Sequence, residues 1–501
     1  MRPGLRATLA TATFYAAVNA AIRLAAGTRL AMDDAKTNLF TQAWRWGYQA
    51  DNPPLFEWLI KLAHPATGGG LGSFLLVKSA CLVVAAAFTY LAVRRAVGEG
   101  PALGAAMGLV LLYQVGWNFH QAFTHSALLL AATAAALWAG VRLVQRRGWP
   151  DYLLFGVLSG AGLLSKYNFA LFALGFLLAA LTTGRGRRAV LSPRLLASLA
   201  IAGALVLPHA LWLADRADLY ASTLPETLRT EGAWAARAAA GLGSLAVATI
   251  SFFVPWGLVY GRLRRRAPSA RGRGGGAPDA GIALFTRTSI AALALIVLGV
   301  LALGVGAVSE RYVLPALLPA YAGLTGSLLA GRPAALRPYL LACLAAFVLF
   351  SGVRLATFLR PGPPLCEDCH AFVPYEALAA RLREVAPPDA ILLAWEEDTA
   401  GNLVAAFPEA RVTSLNLLTQ FNPATPADAD RPCYLVWSRE LVGGAELHPV
   451  FAFAPEDPRT AYAEAGWDAA LRPRGFRRTR WGITPLEGPL YARFCAAGAP
   501  G

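Results

Sequence analysis

Apolar runs of about 20 residues, the length that crosses a bilayer as a helix, recur from near the start of the chain to about Val353. They fall at 8–27, 73–93, 101–117, 124–143, 151–164, 168–183, 195–214, 241–261, 282–307, 312–330 and 336–356. About 11 spans are therefore expected, and the two flanking Lys166 are short enough to be tilted, broken or partly re-entrant. From about Pro361 the pattern changes. The spacing there predicts a helix over Tyr375–Val385, a buried strand over Ala390–Trp395 and a second helix over Asp398–Phe407. Two more strands are expected at Arg411–Leu415 and Cys433–Trp437. Strands alternating with helices imply a small α/β unit. The expected fold is a polytopic α-helical membrane protein over 1–360 with a small C-terminal α/β domain over 361–501.

Composition supports that division. Of 501 residues, 56% are hydrophobic and 15% charged, whereas soluble domains carry about 25% charged residues. An ordinary soluble enzyme and a disordered chain are both excluded. The net charge of +15 is uneven: residues 1–360 hold 33 Lys and Arg against 12 Asp and Glu, and the rest hold 12 against 18. Arg2 and Arg6, Arg94–Arg95, Arg146–Arg147, Arg185–Arg188 and Arg262–Arg273 fall in alternate loops, as the positive-inside rule expects of cytoplasmic ones. This accounts for the basic balance without a nucleic-acid partner. An odd number of spans from a cytoplasmic N-terminus puts the tail outside. The first span is followed by no clear small-x-small site and reads as a retained anchor. Arg262–Gly276 reads as a flexible basic linker.

Nine of the 12 acids before residue 361 fall on the outer side: Asp33, Asp34, Asp51, Glu57, Asp215, Asp218, Glu226, Glu231 and Glu310. Acids at the membrane boundary are candidates for function, although wet loops also tolerate them. Asp33–Asp34 follows the first span within a few residues. Adjacency and partial burial both raise a carboxylate pKa, which suits a general base. The plain alternative is a polar stop after a helix. The loop then continues through Trp44, Trp46, Tyr48, Phe56 and Trp58, an aromatic pattern suited to the lipid–water interface. With the rigid Pro53–Pro54, the loop 28–72 reads as a place to meet a lipid-linked substrate.

The acidic pair and WGYQADNPPLFEWL resemble the first extracytoplasmic loop of GT-C glycosyltransferases related to protein O-mannosyltransferases and the lipid A aminoarabinose transferase. LVKSACLVVAAAFTYLAVRRAVG, GAGLLSKYNFALF around Lys166 and SERYVLPALLPAYAGL around Arg311 extend the resemblance over most of residues 1–330. FTHSALLL around His125 and EDTAGNLVAAFPEARVTSLN in the tail look like the lipopolysaccharide-modifying, galacturonosyl-type branch.

The resemblance implies an inverting transferase of the bacterial inner membrane with its site and tail facing the periplasm. It would move a sugar from a polyprenyl-phosphate donor to a hydroxyl of a lipopolysaccharide, glycolipid or polysaccharide. Asp33 matches the family's catalytic Asp, and Asp34 stands where Glu is usual. Lys36 stands where the aminoarabinose branch has Arg, and Asn52 where it has Lys before the Pro pair. Thr124-His125-Ser126 replaces an Asp near the start of the fourth span. Lys36, Lys78, Lys166 and Arg311 are the candidate cations for the leaving phosphate. For Lys78 and Lys166 the competing reading is snorkelling, and for Arg311 an ion pair with Glu310. Tyr48, Asn52, Pro53, Pro54 and Glu57 belong to the substrate loop, and His120, His125 and Glu310 are weaker sugar or acceptor contacts.

Cys81 and Cys343 lie in spans and read as packed thiols. Cys366, Cys369, Cys433 and Cys495 lie in the tail and are disulfide candidates of undetermined pairing. CEDCH also spells a haem-attachment signature, and zinc is a further alternative. No cofactor is implied and no metal-ligand spacing is evident, although a divalent ion stays open. The partners expected are membrane lipids, the lipid-linked donor and the acceptor; sequence does not give the oligomeric state. Two rivals remain. A lipid-sugar transporter would place charges near the midplane of repeated halves, whereas here acids gather on one face. A protein O-glycosyltransferase would share the loop and differ in its acceptor.

Overall fold

The computed structural model describes residues 3–496 apart from 122, 219–220, 222–227, 230–231, 269–279, 361, 363–371, 419, 439–450, 452 and 467–477. Helices α1 (Pro3–Ala25), α2 (Asp33–Phe40), α3 (Leu55–Thr67), α4 (Gly70–Val97), α5 (Glu99–Met107) and α6 (Tyr113–Gly116) come first. They are followed by α7 (His125–Arg146), α8 (Trp149–Ser165), α9 (Phe169–Leu181), α10 (Gly184–Val190) and α11 (Leu195–Ala214). Next are α12 (Trp234–Arg266), α13 (Ala280–Leu303), α14 (Glu310–Gly331) and α15 (Leu336–Leu359). The tail carries α16 (Tyr375–Val385), β1 (Ile391–Ala394), α17 (Glu397–Ala406), β2 (Arg411–Ser414), β3 (Cys433–Trp437), β4 (Ala461–Gly466), β5 (Arg478–Leu486) and α18 (Gly488–Phe494).

Among the described residues, seven helices are long and apolar enough to span a membrane, or eight if the bent pair after Glu99 is one span. The count of 11 is not reached by length and composition. Helix α1 carries Arg6, Asn19 and Arg23 within its length. Helices α8 and α9 have 17 and 13 residues, short of the ~20 a straight crossing needs. The expected break at Lys166 is present: α8 stops at Ser165, Lys166 is extended, and α9 starts at Phe169. The run expected at 101–117 is bent by 66°, where Leu112 leaves helical geometry at φ −80° and ψ 125°.

The chain forms two compact units. The first comprises Met1–Asn19, Ala50–Phe56 and Lys78–Ser351 and is helical. Its centre is α7 and α14, each with 78% of its apolar window buried, while α11 and α12 bury 22%. Most apolar side chains of α11 and α12 therefore face outward, as on lipid-facing helices, while a narrow stripe including Ala202, Phe252 and Trp256 is buried. Small residues let backbones approach: a Cβ on Gly175 of α9 would lie 2.9 Å from the Ala292 backbone of α13. Asp151 caps α8 by accepting from the Gly148 N–H at 3.1 Å and pairs with Arg142 of α7. That one acid ties two helices together.

The second unit comprises Ala20–Gln49, Glu57–Val77 and Gly352–Gly501. The compact division therefore does not fall at residue 360: much of the first loop groups with the tail. A five-stranded sheet of order β2-β1-β3-β5-β4 has parallel pairs β1–β2 and β1–β3, and β5 runs antiparallel to β3 and β4. The expected tail elements appear with ends shifted by at most a residue or two; β4, β5 and α18 add to them. One face of the sheet packs α16 and α17, and its core includes Leu39, Phe40 and Tyr48 of the loop beside Leu378, Leu403, Phe421 and Trp481. Phe40 stacks on Tyr48 at 5.5 Å and meets the Phe421 edge at 5.3 Å. A Cys433–Cys495 disulfide joins β3 to the residue after α18. Cys366 and Cys369, with the CEDCH signature, lie outside the described residues, whereas Cys81 and Cys343 are buried free thiols.

Candidate active site

In the first unit, four stretches distant in sequence meet around Lys166. Because α8 ends one residue earlier, the Lys166 side chain leaves an extended residue rather than a helix face. Its Nζ donates to the Ser126 hydroxyl at 3.1 Å and lies 5.4 Å from the Tyr312 ring centre. Two residues on, Asn168 Nδ2 donates to the carbonyls of Tyr312 at 2.9 Å and Arg311 at 3.4 Å, so the break in one helix pins the first turn of α14. His125, 3% exposed, lies 5.3 Å from the Phe56 ring, and its Nδ1 is 3.2 Å from the Thr124 hydroxyl. The charge of Asp51 acts on Tyr312. ADNPPLF, FTHS, SKYN and SERY thus converge, with Pro53 and Pro54 buried at the entry to α3 and Asn52 half-buried.

Lys78 is 7% exposed and donates to the Gln121 carbonyl at 3.3 Å. A buried ammonium is costly without partners, which argues against simple snorkelling. His120 is hydrogen-bonded to the Tyr15 hydroxyl at 2.8 Å and packs edge-on against that ring. Glu310 and Arg311 are half-buried at the start of α14.

The second unit holds the acids. Asp33 and Asp34 are the first two residues of α2, where unsatisfied N–H groups and the helix dipole favour negative charge. Met32, just before them, has a φ of 52°, a left-handed conformation a non-glycine residue rarely adopts. Asp34 is 8% exposed and is attracted by Arg23; Asp33 and Lys36 are half-buried. Glu57 is 1% exposed and accepts from Gln49 Nε2 at 3.4 Å.

Tyr48, expected in the substrate loop, is an interior residue. It is 1% exposed in the core described above, its hydroxyl donates to the Ala43 carbonyl at 2.8 Å, and burial pushes its pKa up to about 12. The expectation of an aromatic loop on the membrane interface is half corrected for the same reason. Trp44 and Trp46 are each 57% exposed, while Phe40, Tyr48 and Phe56 are interior because the loop is part of folded units. Sequence reasoning missed Ser126, Asn168, Tyr312, Arg23 and Gln49 as partners. Four of these lie inside stretches already singled out; Arg23 carried no signal.

Residues 51–212 match the model of the dolichyl-phosphate-mannose-protein mannosyltransferase family. The lipopolysaccharide core galacturonosyltransferase RgtA of Rhizobium johnstonii is 32% identical over 471 residues, 90% of each chain. The chain belongs to that glycosyltransferase family. RgtB, a lipopolysaccharide core galacturonosyltransferase of the same organism, is 28% identical over 455 residues, 87% of this chain and 88% of its own. Crystal structures of ArnT from Cupriavidus metallidurans match with TM-scores of 0.58 bound to undecaprenyl phosphate and 0.60 in the apo state. Each covers 94% of this chain and 97% of its own at 13% identity, a likeness of fold. This member of the galacturonosyltransferase family is thus a multi-pass membrane glycosyltransferase of GT-C architecture with a small C-terminal sheet domain.

Proposed function

We propose that the enzyme transfers a hexosyl or uronosyl group, galacturonosyl first among them, from a polyprenyl-phosphate donor to a hydroxyl of the lipopolysaccharide core or a related envelope glycolipid. Asp33 takes the proton of the acceptor hydroxyl. The freed oxygen attacks the anomeric carbon from the face opposite the phosphate, so the new glycosidic bond forms with inversion. The bond to the phosphate oxygen breaks, and polyprenyl phosphate leaves with the electron pair. Charge grows on that phosphate beside lipid, where fixed cations stabilise the transition state most strongly. Lys166 and Arg311 are assigned this task, with Lys78 and Lys36 as further phosphate contacts.

The observation that carries the reading is the convergence of Lys166, Ser126 and the Arg311–Tyr312 turn with the NPPLF segment. Polyprenyl phosphate in the ArnT neighbour and the galacturonosyl activity named for RgtA and RgtB support the donor and sugar. The reading puts segment 28–72 and the tail 361–501 on the periplasmic side of the inner membrane. The Cys433–Cys495 disulfide supports that compartment, since such bonds persist in oxidising surroundings.

The mannosyltransferase match over 51–212 favours a protein hydroxyl as the second reading. The test is full-length enzyme in proteoliposomes with labelled polyprenyl-phosphate galacturonic acid, offered lipopolysaccharide core and an unstructured Ser/Thr peptide separately. A labelled core saccharide with inverted anomeric configuration is the expected product. Labelled peptide alone would overturn the acceptor, and vesicle uptake of intact donor without a new bond would overturn catalysis.

A further inference from the structure

The tail stretch EDTAGN has no role in the chemistry above, yet its side chains hold the backbone that leads to the acids. Asn402 lies on α17, is 8% exposed, and uses every polar function it has. Its Oδ1 accepts from the Leu30 N–H at 2.8 Å. Its Nδ2 donates to the Leu30 carbonyl at 3.0 Å and to the Asp398 carbonyl at 2.7 Å. Leu30 is 1% exposed, so its peptide groups sit where unpaired polar atoms are costly, and one amide meets both. From the other side, Asn38 of α2 donates to the Gly401 carbonyl at 2.9 Å. Glycine at 401 permits this approach, because a Cβ there would fall 2.2 Å from the Ala35 carbonyl oxygen.

These bonds bracket the acidic pair. Leu30 precedes Asp33 by three residues, Asn38 follows it by five, and between them Met32 holds a left-handed φ of 52°. Such a conformation persists only where its surroundings over-determine it, and α17 supplies those surroundings. We propose that Asn402 is a positioning residue for the acid pair: through Leu30 it sets the direction in which α2 presents Asp33. Asn38 and Gly401 complete the clamp. The inference rests on the reading of Asp33 as the base.

The test uses the full-length enzyme in proteoliposomes with polyprenyl-phosphate galacturonic acid and lipopolysaccharide core. Asn402→Ala is expected to lower kcat at least about tenfold, since small misplacements of catalytic groups carry penalties of that order. The KM for the donor is expected to rise by less than kcat falls, because Lys36 is the one assigned donor contact on α2, whereas Lys166, Arg311 and Lys78 do not depend on Leu30. On an Asp33→Asn background, Asn402→Ala is expected to cost no more than about twofold further, the share carried by Lys36 on the same helix. If Asn402→Ala yields no folded protein, Asn38→Ala carries the test, with a smaller loss of kcat that again exceeds any rise in KM. Wild-type kcat in both variants overturns the inference. So does an Asn402→Ala loss of equal size on the Asp33→Asn background, which would show a general structural role. Near-normal turnover of Asp33→Asn alone overturns the base assignment instead, and with it the premise.

Discussion

Lys166 and Ser126 stand 40 positions apart, and the ammonium of one donates to the hydroxyl of the other at 3.1 Å. The contact forms because α8 ends at Ser165 and leaves Lys166 extended. A lysine on an intact lipid-facing helix would reach for the interface instead. Ser126 opens the first turn of α7, so it fixes where the charge sits without cancelling it.

That relationship separates position from charge in a mutational test. Lys166→Met is expected to cut turnover with polyprenyl-phosphate sugar by at least about tenfold, roughly 1.4 kcal/mol of barrier. Ser126→Ala keeps the charge and should cost only a few-fold, in line with the ~1 kcal/mol of one hydrogen bond. Arg311→Lys should also be impaired, because an ammonium lacks the two-pronged phosphate contact of a guanidinium. Steady-state kinetics on the three variants decide it. Wild-type values for Lys166→Met and Arg311→Lys would make both ordinary helix-end charges and turn attention to Lys78 and Lys36.

The acids can be told apart in the same way. Asp34 is buried and attracted by Arg23, while Asp33 is more open at the start of α2; we assign the structural role to Asp34 and the chemistry to Asp33. Asp33→Asn should abolish transfer, by the 10²–10⁴-fold typical of a lost general base, with expression and membrane insertion intact. Asp34→Asn should instead lower the melting temperature, since the Arg23 charge then keeps, among the described residues, only its hydrogen bonds to the Gly27 and Arg29 carbonyls. If Asp34→Asn alone stops turnover and Asp33→Asn does not, the base is the other acid.

Much of this was legible along the chain. The long apolar runs mark most of the helices, and the interruption at Lys166 shows because the apolar stretches on either side are too short to cross alone. Period and turn residues mark the tail as far as β3. The later strands were not readable: β4 holds Ala461, Ala463 and Ala465 with Glu464, and β5 holds Pro485 and Gly482, residues with weak strand preference that pair because β3 offers them an edge. The loop was misread in part for a related reason. An aromatic run reads alike whether it meets lipid or a protein core, and only the tail's Phe421 and Trp481 decide that Phe40 and Tyr48 are interior. The cation cluster was legible only as separate motifs, since hydrogen bonds spanning 40 to 144 positions leave no local pattern.

The crossing of α2 and α17 predicts a tight steric limit. A Cβ at residue 401 would lie 2.2 Å from the Ala35 carbonyl oxygen and 2.6 Å from its Cα, both backbone atoms that no rotamer change can move. Gly401→Ala should therefore destabilise the second unit by the ~1–3 kcal/mol typical of overpacking, despite the better helix propensity of alanine. Thermal unfolding of the full-length protein in detergent would show it. A melting temperature equal to or above that of the wild type would mean the helices are free to separate at that point.

Glu396 predicts a pH dependence with a definite sign. It caps α17, accepting from the Thr399 N–H at 3.0 Å and the Asp398 N–H at 3.2 Å and from the Thr399 hydroxyl. Burial pushes its pKa up to about 7 from the ordinary 4.5, and the charge of Asp398 adds to the rise, while the hydrogen bonds from Thr399 and Asp398 oppose it. Tyr375, buried across from both acids, feels the same charges. The folded protein thus keeps this proton at pH values where the unfolded chain has released it. Stability from this group is full below about 4.5 and is lost as pH rises toward 7. Glu396→Gln keeps an oxygen acceptor for the cap and cannot ionise. Its melting temperature should therefore match the wild type near pH 4 and exceed it increasingly up to neutral pH, after which the gap should stay constant. A gap that is flat from pH 5 to 8, or one that closes as pH rises, would show that the Glu396 carboxylate is adequately solvated in the fold and that the cap, not the charge, governs this corner of the second unit.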